Sequence, residues 1–300
     1  MASQQTTLSP MRTFPPAKLA IYYGWPSLVN GTGSPEAAAR VFATYTHVVF
    51  GWGLQDSHHG DHAKTASIIA ALQGQTTFYG YIPLGEATGL SPRKIKGAAK
   101  RWRKLAVAGV LLDEAGYDFG NTRKRQNQAL DVVHAQGLKV IANAWRPGDL
   151  LSTFPGPQNP KGTAITLGPG DILLYESYRI RDGAPEDETA WRDKIADLAS
   201  RPPETELWGI ATGQTFDPRD LHYLIYCGIL DGLDAVGWGE PAFSATDNVL
   251  PKRPWPQLPN ATEIRHEGDV ISNLSTYLRP TSLGNVEVDL NKDPSGRFLP

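Results

Sequence analysis

This 300-residue chain has a single cysteine, Cys227. One thiol excludes an internal disulfide framework and a cysteine-rich zinc site. Lying in an apolar helical stretch, Cys227 reads as a small core residue. Long hydrophobic runs are also missing: no eighteen consecutive apolar residues occur, so no membrane span is predicted. Nor is charge of one sign in excess, since 29 basic residues face 31 acidic ones. That balance gives no electrostatic footprint for nucleic acid or an anionic membrane. The polar, proline-punctuated residues 1–16 lack the apolar stretch of a secretory signal, so synthesis in the cytoplasm is expected.

What is present is core-forming material. The chain is 40% hydrophobic, with eight Trp and eleven Tyr, which argues against disorder. Eight short apolar, β-branched or aromatic segments read as strands: Leu19–Gly24, His47–Gly53, Thr77–Ile82, Gly109–Glu114, Lys139–Ala144, Asp171–Glu176, Glu206–Thr212 and Ala235–Glu240. Helical segments lie between them. Ser34-Pro35 and Ser91-Pro92 are cap-plus-proline starts. Thr65–Leu72, Thr122–Gln136, Asp187–Ser200 and Asp217–Leu230 follow, with only a short helical piece at Gly148–Thr153. Alternating strand and helix implies parallel strands with helical crossovers. Eight such units over about 225 residues match a closed (β/α)8 barrel of the α/β class. The alternative, an open doubly wound sheet, carries a Gly-rich phosphate loop after its first strand. Here that strand runs into Tyr22-Tyr23-Gly24-Trp25-Pro26, which cannot cradle a pyrophosphate.

The predicted organisation is an arm over residues 1–16, the barrel over 17–245 and a C-terminal extension over 246–300. Pro251, Pro254, Pro256 and Pro259 mark a rigid linker. Beyond it Asp269–Leu278 is expected as a helix and Asn285–Leu290 as a half-buried strand. A turn at Asp293–Gly296 leaves four residues after it, so that strand lacks a local partner. Residues 251–300 are expected to pack along the barrel exterior or against another chain, a virion component or a second copy, with Val286, Val288 and Leu290 as one apolar face.

The chemistry concentrates at the strand ends. Gly109–Glu114 is an apolar run that closes in two adjacent acids, Asp113 and Glu114, with Tyr117 and Asp118 following. Carboxylates at the end of a buried strand are costly unless paired or used, and the C-terminal rim of a barrel is where catalytic groups sit. Aligning strand ends gathers Tyr23, Trp25, Trp52, Tyr81, Asn143, Trp145, Glu176, Tyr178, Trp238 and Glu240 with them. Aromatic faces beside paired carboxylates suit glycoside chemistry. Asp113 and Glu176 end next-but-one strands, within reach of either a retaining or an inverting separation. The competing readings are structural: aromatic core, Asp113 paired with Arg123 or Arg125, and Glu176 paired with Arg179 or Arg181. Glu114 has the opposite side-chain parity and reads as a supporting acid. The loop Asp56–His62 holds His58, His59 and His62. Substrate contact by His59 and His62, or solvent exposure, is expected there rather than a metal site.

Ile21-Tyr22-Tyr23, Gly80-Tyr81-Ile82 and above all Gly109–Glu114 resemble the spherulin-4-like and endo-α-1,4-galactosaminidase-like glycoside hydrolase barrels, over residues 17–240. The resemblance implies cleavage of a galactosamine-containing polysaccharide without a cofactor, by an acid ending the fourth strand and another further on. Asp113, Glu114 and Glu176 occupy those places. Asp113 is expected as nucleophile or electrostatic stabiliser and Glu176 as general acid/base. A non-catalytic or glycan-binding barrel module, as in a phage tail, is the alternative.

Overall fold

A computed structural model describes residues 15–213, 218–239, 246–250, 255, 258, 264–273, 275–290 and 295–299. Its centre is a closed barrel of eight parallel strands. These are β1 (Ala17–Tyr22), β2 (His47–Phe50), β3 (Thr77–Pro83), β4 (Gly109–Asp113), β5 (Lys139–Asn143) and β6 (Ile172–Glu176), then β9 (Glu206–Ala211) and β10 (Ala235–Gly239). Each pairs with its predecessor, and β10 closes on β1 through Ala17↔Ala235 to Ile21↔Gly239. The (β/α)8 expectation therefore holds. Between β6 and β9 a two-stranded hairpin intervenes, β7 (Ile180–Arg181) and β8 (Ala184–Pro185), which the sequence reading did not anticipate.

The helices begin where their caps place them. Ser34 accepts from the Ala37 amide at 3.2 Å and starts α1 (Pro35–Phe42). Ser91 does the same for α3 (Pro92–Lys104) and Thr122 for α4 (Arg123–His134). Asp187 opens α6 (Glu188–Ala199), accepting from Thr189 at 3.0 Å. Such side chains satisfy amides that the helix itself leaves unpaired. Helix α2 (His62–Ala71) starts three residues before its predicted position, α5 is the short Gly148–Leu151, and α7 is Pro218–Asp231.

Two apolar layers result. Leu19, Ile21, Val49, Tyr79, Leu111, Ile141, Leu174, Trp208 and Ile210 fill the barrel, while a larger layer lies between strands and helices. Gly80 shows how tightly the second layer closes. A Cβ there would stand 2.1 Å from the Trp102 ring, so only glycine lets α3 lie on β3. The Trp102 indole then donates to the Tyr81 carbonyl at 3.1 Å.

The C-terminal region departs from expectation. Asp269–Leu278 is not a helix: β11 (Ile271–Asn273) and β12 (Thr276–Thr281) form an antiparallel pair. Thr276, Tyr277 and Thr281 suit a pleated surface, and a neighbouring strand is available to them. That strand is β13 (Gly284–Asp289), which has partners on both sides, β12 and β14 (Ser295–Leu299). Of the predicted turn Asp293–Gly296, Ser295 and Gly296 belong to β14, Ser295 pairing with Asp289, and residues 291–294 lie outside the described residues. Val286 and Val288 are fully buried within the main core layer, as this sheet packs on α7. Their apolar face is thus used within the chain, against the barrel's α7, which is one of the two placements weighed for this region. His266 Nε2 lies 2.6 Å from the Ile229 carbonyl, and Arg279 donates to that of Leu230 at 2.6 Å, so the sheet also satisfies the end of α7. The arm up to residue 14, Glu240, and Pro251, Pro254, Pro256 and Pro259 lie outside the described residues.

Candidate active site

Three consecutive strands end in the residues that matter: Asp113 on β4, Asn143 on β5 and Glu176 on β6. The Asn143 amide nitrogen donates to Asp113 Oδ1 at 2.7 Å and to Glu176 Oε2 at 3.0 Å. Because one nitrogen serves both, the two oxygens stand at most 5.7 Å apart, the sum of the two distances, which is closer than the ~6.5–9.5 Å of inverting carboxylate pairs. Asp113 also accepts from the Tyr81 hydroxyl at 2.8 Å and from the Glu114 amide at 2.8 Å. Asp113 is thus held by three donors, from β3, β5 and the residue that follows it. Glu176 differs. Burial raises its pKa, and the Asp113 charge adds to that, while the Asn143 hydrogen bond and Lys194 oppose it. The two acids therefore occupy unlike environments, the arrangement that separates an acid from a nucleophile.

Both acids end their strands at a strained step. Glu114 and Ser177, each directly after a carboxylate, have φ of 55°. Left-handed backbone at non-glycine residues costs about 1–3 kcal/mol and collects at functional sites. For Glu114 the turn carries its side chain towards Gly85, whose amide it engages. A Cβ at Gly85 would meet the Glu114 carboxylate at 2.4 Å. Glu114 thus braces the rim and is not among the residues lining the cleft between Asp113 and Glu176, the place of a supporting acid and not of a reacting one. Its own pKa is raised by desolvation and then by Asp113.

That cleft is about 150 Å³ and is lined by Ile21, Tyr23, Leu111, Asp113, Asn143, Leu174, Glu176 and Ile210. Cavities of about this volume admit a six-membered ring. Tyr23 meets Tyr81 edge-to-face at 5.2 Å, so both aromatics belong to the mouth. Trp25 and Trp52, about two-fifths exposed, sit on the adjoining loops. The Trp25 ring lies 5.2 Å from His59. The histidine loop is anchored, because buried Asp61 accepts from the Ser27 amide and hydroxyl at 2.9 and 2.5 Å. His62 Nδ1 lies 2.8 Å from the Leu54 carbonyl, which fixes the ring on the loop. Trp145 is half-buried between Lys194 and Arg181, 4.2 and 4.7 Å from its ring. Tyr117 is half-buried and Asp118 exposed, next to Asp149, which accepts from the Tyr117 amide at 2.9 Å.

Two expected contacts are not at the mouth. Trp238 is 2% exposed and belongs to the layer between barrel and helices. Ala235 faces the interior, so by strand alternation Trp238, three residues on, faces outward. Tyr178 is fully buried and donates to Asp231 at 2.7 Å. The left-handed turn at Ser177 sends it over the outer face of β9. Among the described residues neither acid makes the arginine pairing weighed against its catalytic reading. Arg179 binds Asp231, Arg181 lies near Asp182, Arg125 donates to the Leu84 carbonyl, and Arg123 to that of Ser152. Lys194 and Asp149 had no local signal, since they come from helices distant in sequence. A larger cleft of about 750 Å³ on the outer flank, walled by Lys18, Arg40, Trp238 and Trp255, shares no lining residue with the mouth and carries no carboxylate among the described residues.

The fold defines the chain as a (β/α)8 barrel. No family model matches the sequence, and no curated protein matches it. Solved structures similar in fold include the glycoside hydrolase domain of PelA from Pseudomonas aeruginosa, at 17% identity and TM-score 0.48, covering 77% of this chain and 96% of that one. The enoyl reductase domain of MlnA from Bacillus amyloliquefaciens aligns at 14% identity and TM-score 0.46, covering 74% and 52%. N-acetylneuraminate lyase from Mycoplasma synoviae aligns at 12% and 0.42, covering 76% and 68%. These likenesses concern the barrel and assign no chemistry to it.

Proposed function

We propose that this chain is a retaining glycoside hydrolase acting on a polysaccharide, with an amino-sugar polymer as the first substrate to examine. One observation carries the reading: Asp113 and Glu176 are bridged by a single Asn143 nitrogen at 2.7 and 3.0 Å, with unlike surroundings. In this reading Asp113 attacks the anomeric carbon as the glycosidic bond breaks, and Glu176 gives its proton to the leaving oxygen. Glu176 then takes a proton from water, which releases the sugar from Asp113 with configuration retained. Burial supports the acid role of Glu176, since it favours the protonated form. No step calls for a cofactor.

The test is hydrolysis of a panel of aryl glycosides and galactosamine-containing polysaccharides, with the product anomer followed by NMR. Asp113→Asn and Glu176→Gln should each lower turnover by orders of magnitude with little change in melting temperature. Their double variant should be scarcely worse than either, as for groups acting as one unit. Unchanged turnover in both single variants refutes the assignment. A second reading, a module of a larger assembly such as a phage tail, draws support from the edge strand β11, where Ile271 is 60% exposed. Mass measurement in solution, with and without Ile271→Lys, tests it.

A further inference from the structure

Trp25 and Trp52 are 42% and 40% exposed, on the rim loops that follow β1 and β2. Neither lines the cleft between the two acids, and nor does His59. Yet Trp25 is held from several sides. Its amide donates to Asn248 Oδ1 at 2.7 Å, and its carbonyl accepts from the Leu28 amide at 2.9 Å and the Tyr22 hydroxyl at 3.2 Å. The ring rests on Gly60, where a Cβ would stand 2.9 Å from Cη2, so only glycine lets the histidine loop come this close. Ser27 and Asp61, each two residues beyond Trp25 and His59, tie the two loops together. His59 accepts from the Asp61 amide through Nδ1 at 3.1 Å. In the neutral ring that places the hydrogen on Nε2, a donor on a half-buried side chain.

These rings form one surface. Trp25 and His59 are 5.2 Å apart, and a Cβ on Gly53, next to Trp52, would lie 3.4 Å from His59 Cδ2. The surface is continuous with the cleft. Tyr23, two residues before Trp25, lines the cleft, and a Cβ on Gly51, the residue before Trp52, would stand 2.8 Å from the Tyr23 Cα. An aromatic face kept in water with a donor beside it suits a sugar ring, which is apolar on its C–H face and polar at its edge. We propose that Trp25, His59 and Trp52 form a second sugar-binding subsite, which takes a ring of the same polysaccharide beyond the one held between Asp113 and Glu176. That ring stacks on an indole, and one of its hydroxyls accepts from His59 Nε2. The proposal rests on the hydrolase reading and adds to it a dependence on chain length. Because the loops hold the rings in place beforehand, little ordering cost is left for binding. The energy gathered there comes from a part of the substrate that does not react.

The test follows binding without turnover. Glu176→Gln in the full chain is titrated with galactosamine oligosaccharides, N-acetylated and free, from the monosaccharide to the pentasaccharide. Calorimetry gives the affinity, and NMR of ¹⁵N-labelled indoles gives the place. The Trp25 and Trp52 signals are identified by their loss in Trp25→Ala and Trp52→Ala. Both should shift with the pentasaccharide at concentrations where the monosaccharide leaves them in place. Adding Trp25→Ala should weaken pentasaccharide binding about tenfold, the scale of one aromatic contact, and monosaccharide binding less. Gly60→Ala keeps every ring but displaces that of Trp25, so it should give a similar loss. If Trp25→Ala does not fold, the indole shifts and Gly60→Ala decide. Unmoved indole signals at saturation, equal losses for both sugars, or no saturable binding of any oligomer overturn the subsite. So does a change of mass in solution on Trp25→Ala with sugar binding untouched, which assigns the surface to a second copy of the chain. If Glu176→Gln binds as expected while the wild type hydrolyses none of these sugars, the hydrolase reading falls and the subsite stands.

Discussion

Replacing Asp231 with Asn is the perturbation that ties the fold most directly to the site. Asp231 ends α7 and receives Tyr178 Oη at 2.7 Å, Arg179 Nε at 3.1 Å and Arg179 Nη2 at 2.9 and 2.7 Å. The Arg179 side chain is 0% exposed and that of Asp231 5%. The guanidinium carbon lies over the Trp191 ring, 3.3 Å from its centre. Asn keeps the shape but removes the charge, so Arg179 is left buried with no counter-ion. Breaking a buried pair in this way costs about 3–5 kcal/mol. At about 2–4 °C per kcal/mol for a large domain, the melting temperature should fall by roughly 10 °C. Arg179 stands three residues after Glu176, in the segment that turns at Ser177. A loosened Arg179 should therefore also reduce turnover in the variant that remains folded. The apolar double variant Arg179→Met, Asp231→Leu should recover much of the stability, since it leaves no unpaired charge. Thermal and urea unfolding measure the first effect, and kinetics below the transition the second. A loss under about 1 kcal/mol for Asp231→Asn would refute the claim that this pair is desolvated and structural.

Three further outcomes are expected. Glu176 titrates above its ordinary value because of burial, so the alkaline limb of kcat/KM, where the acid loses its proton, should lie above the usual glutamate range; a limb at or below that range counts against Glu176 as the acid. His134 has its pKa raised, first by its 2.8 Å hydrogen bond to Asp171, so its contribution is complete below its unfolded pKa and fades as pH rises through the folded one. Accordingly His134→Ala should destabilise clearly at pH 5 and much less at pH 9, by urea titration at both. Deleting residues 264–299 uncovers Tyr226 and the end of α7, and strips the Arg279 and His266 contacts, so the barrel should melt at lower temperature; an unchanged melt would show that the sheet contributes nothing to it.

Much of this molecule was legible locally. The eight barrel strands lie within one to three residues of their predicted ends, because a parallel strand buried on both faces is a short apolar run between turn residues. Ser34, Ser91, Thr122 and Asp187 mark helix starts because a capping side chain acts within three residues of itself. Asp113 and Glu176 stood out as acids closing such runs. The outward direction of Trp238 was also open to inspection, through its offset from Ala235. Other features depended on distant partners. Val286 and Val288 read as an unpartnered face until β12, β14 and α7 came to meet them. Tyr178 left the rim because Ser177 adopts a left-handed turn that no residue preference demands. The sequence by itself determined which elements form and which acids end them, since propensity, capping and periodicity act over a few residues. Only the tertiary structure decided that one Asn143 nitrogen spans the Asp113 and Glu176 carboxylates, at 2.7 and 3.0 Å, because their approach is set by strand register and barrel closure.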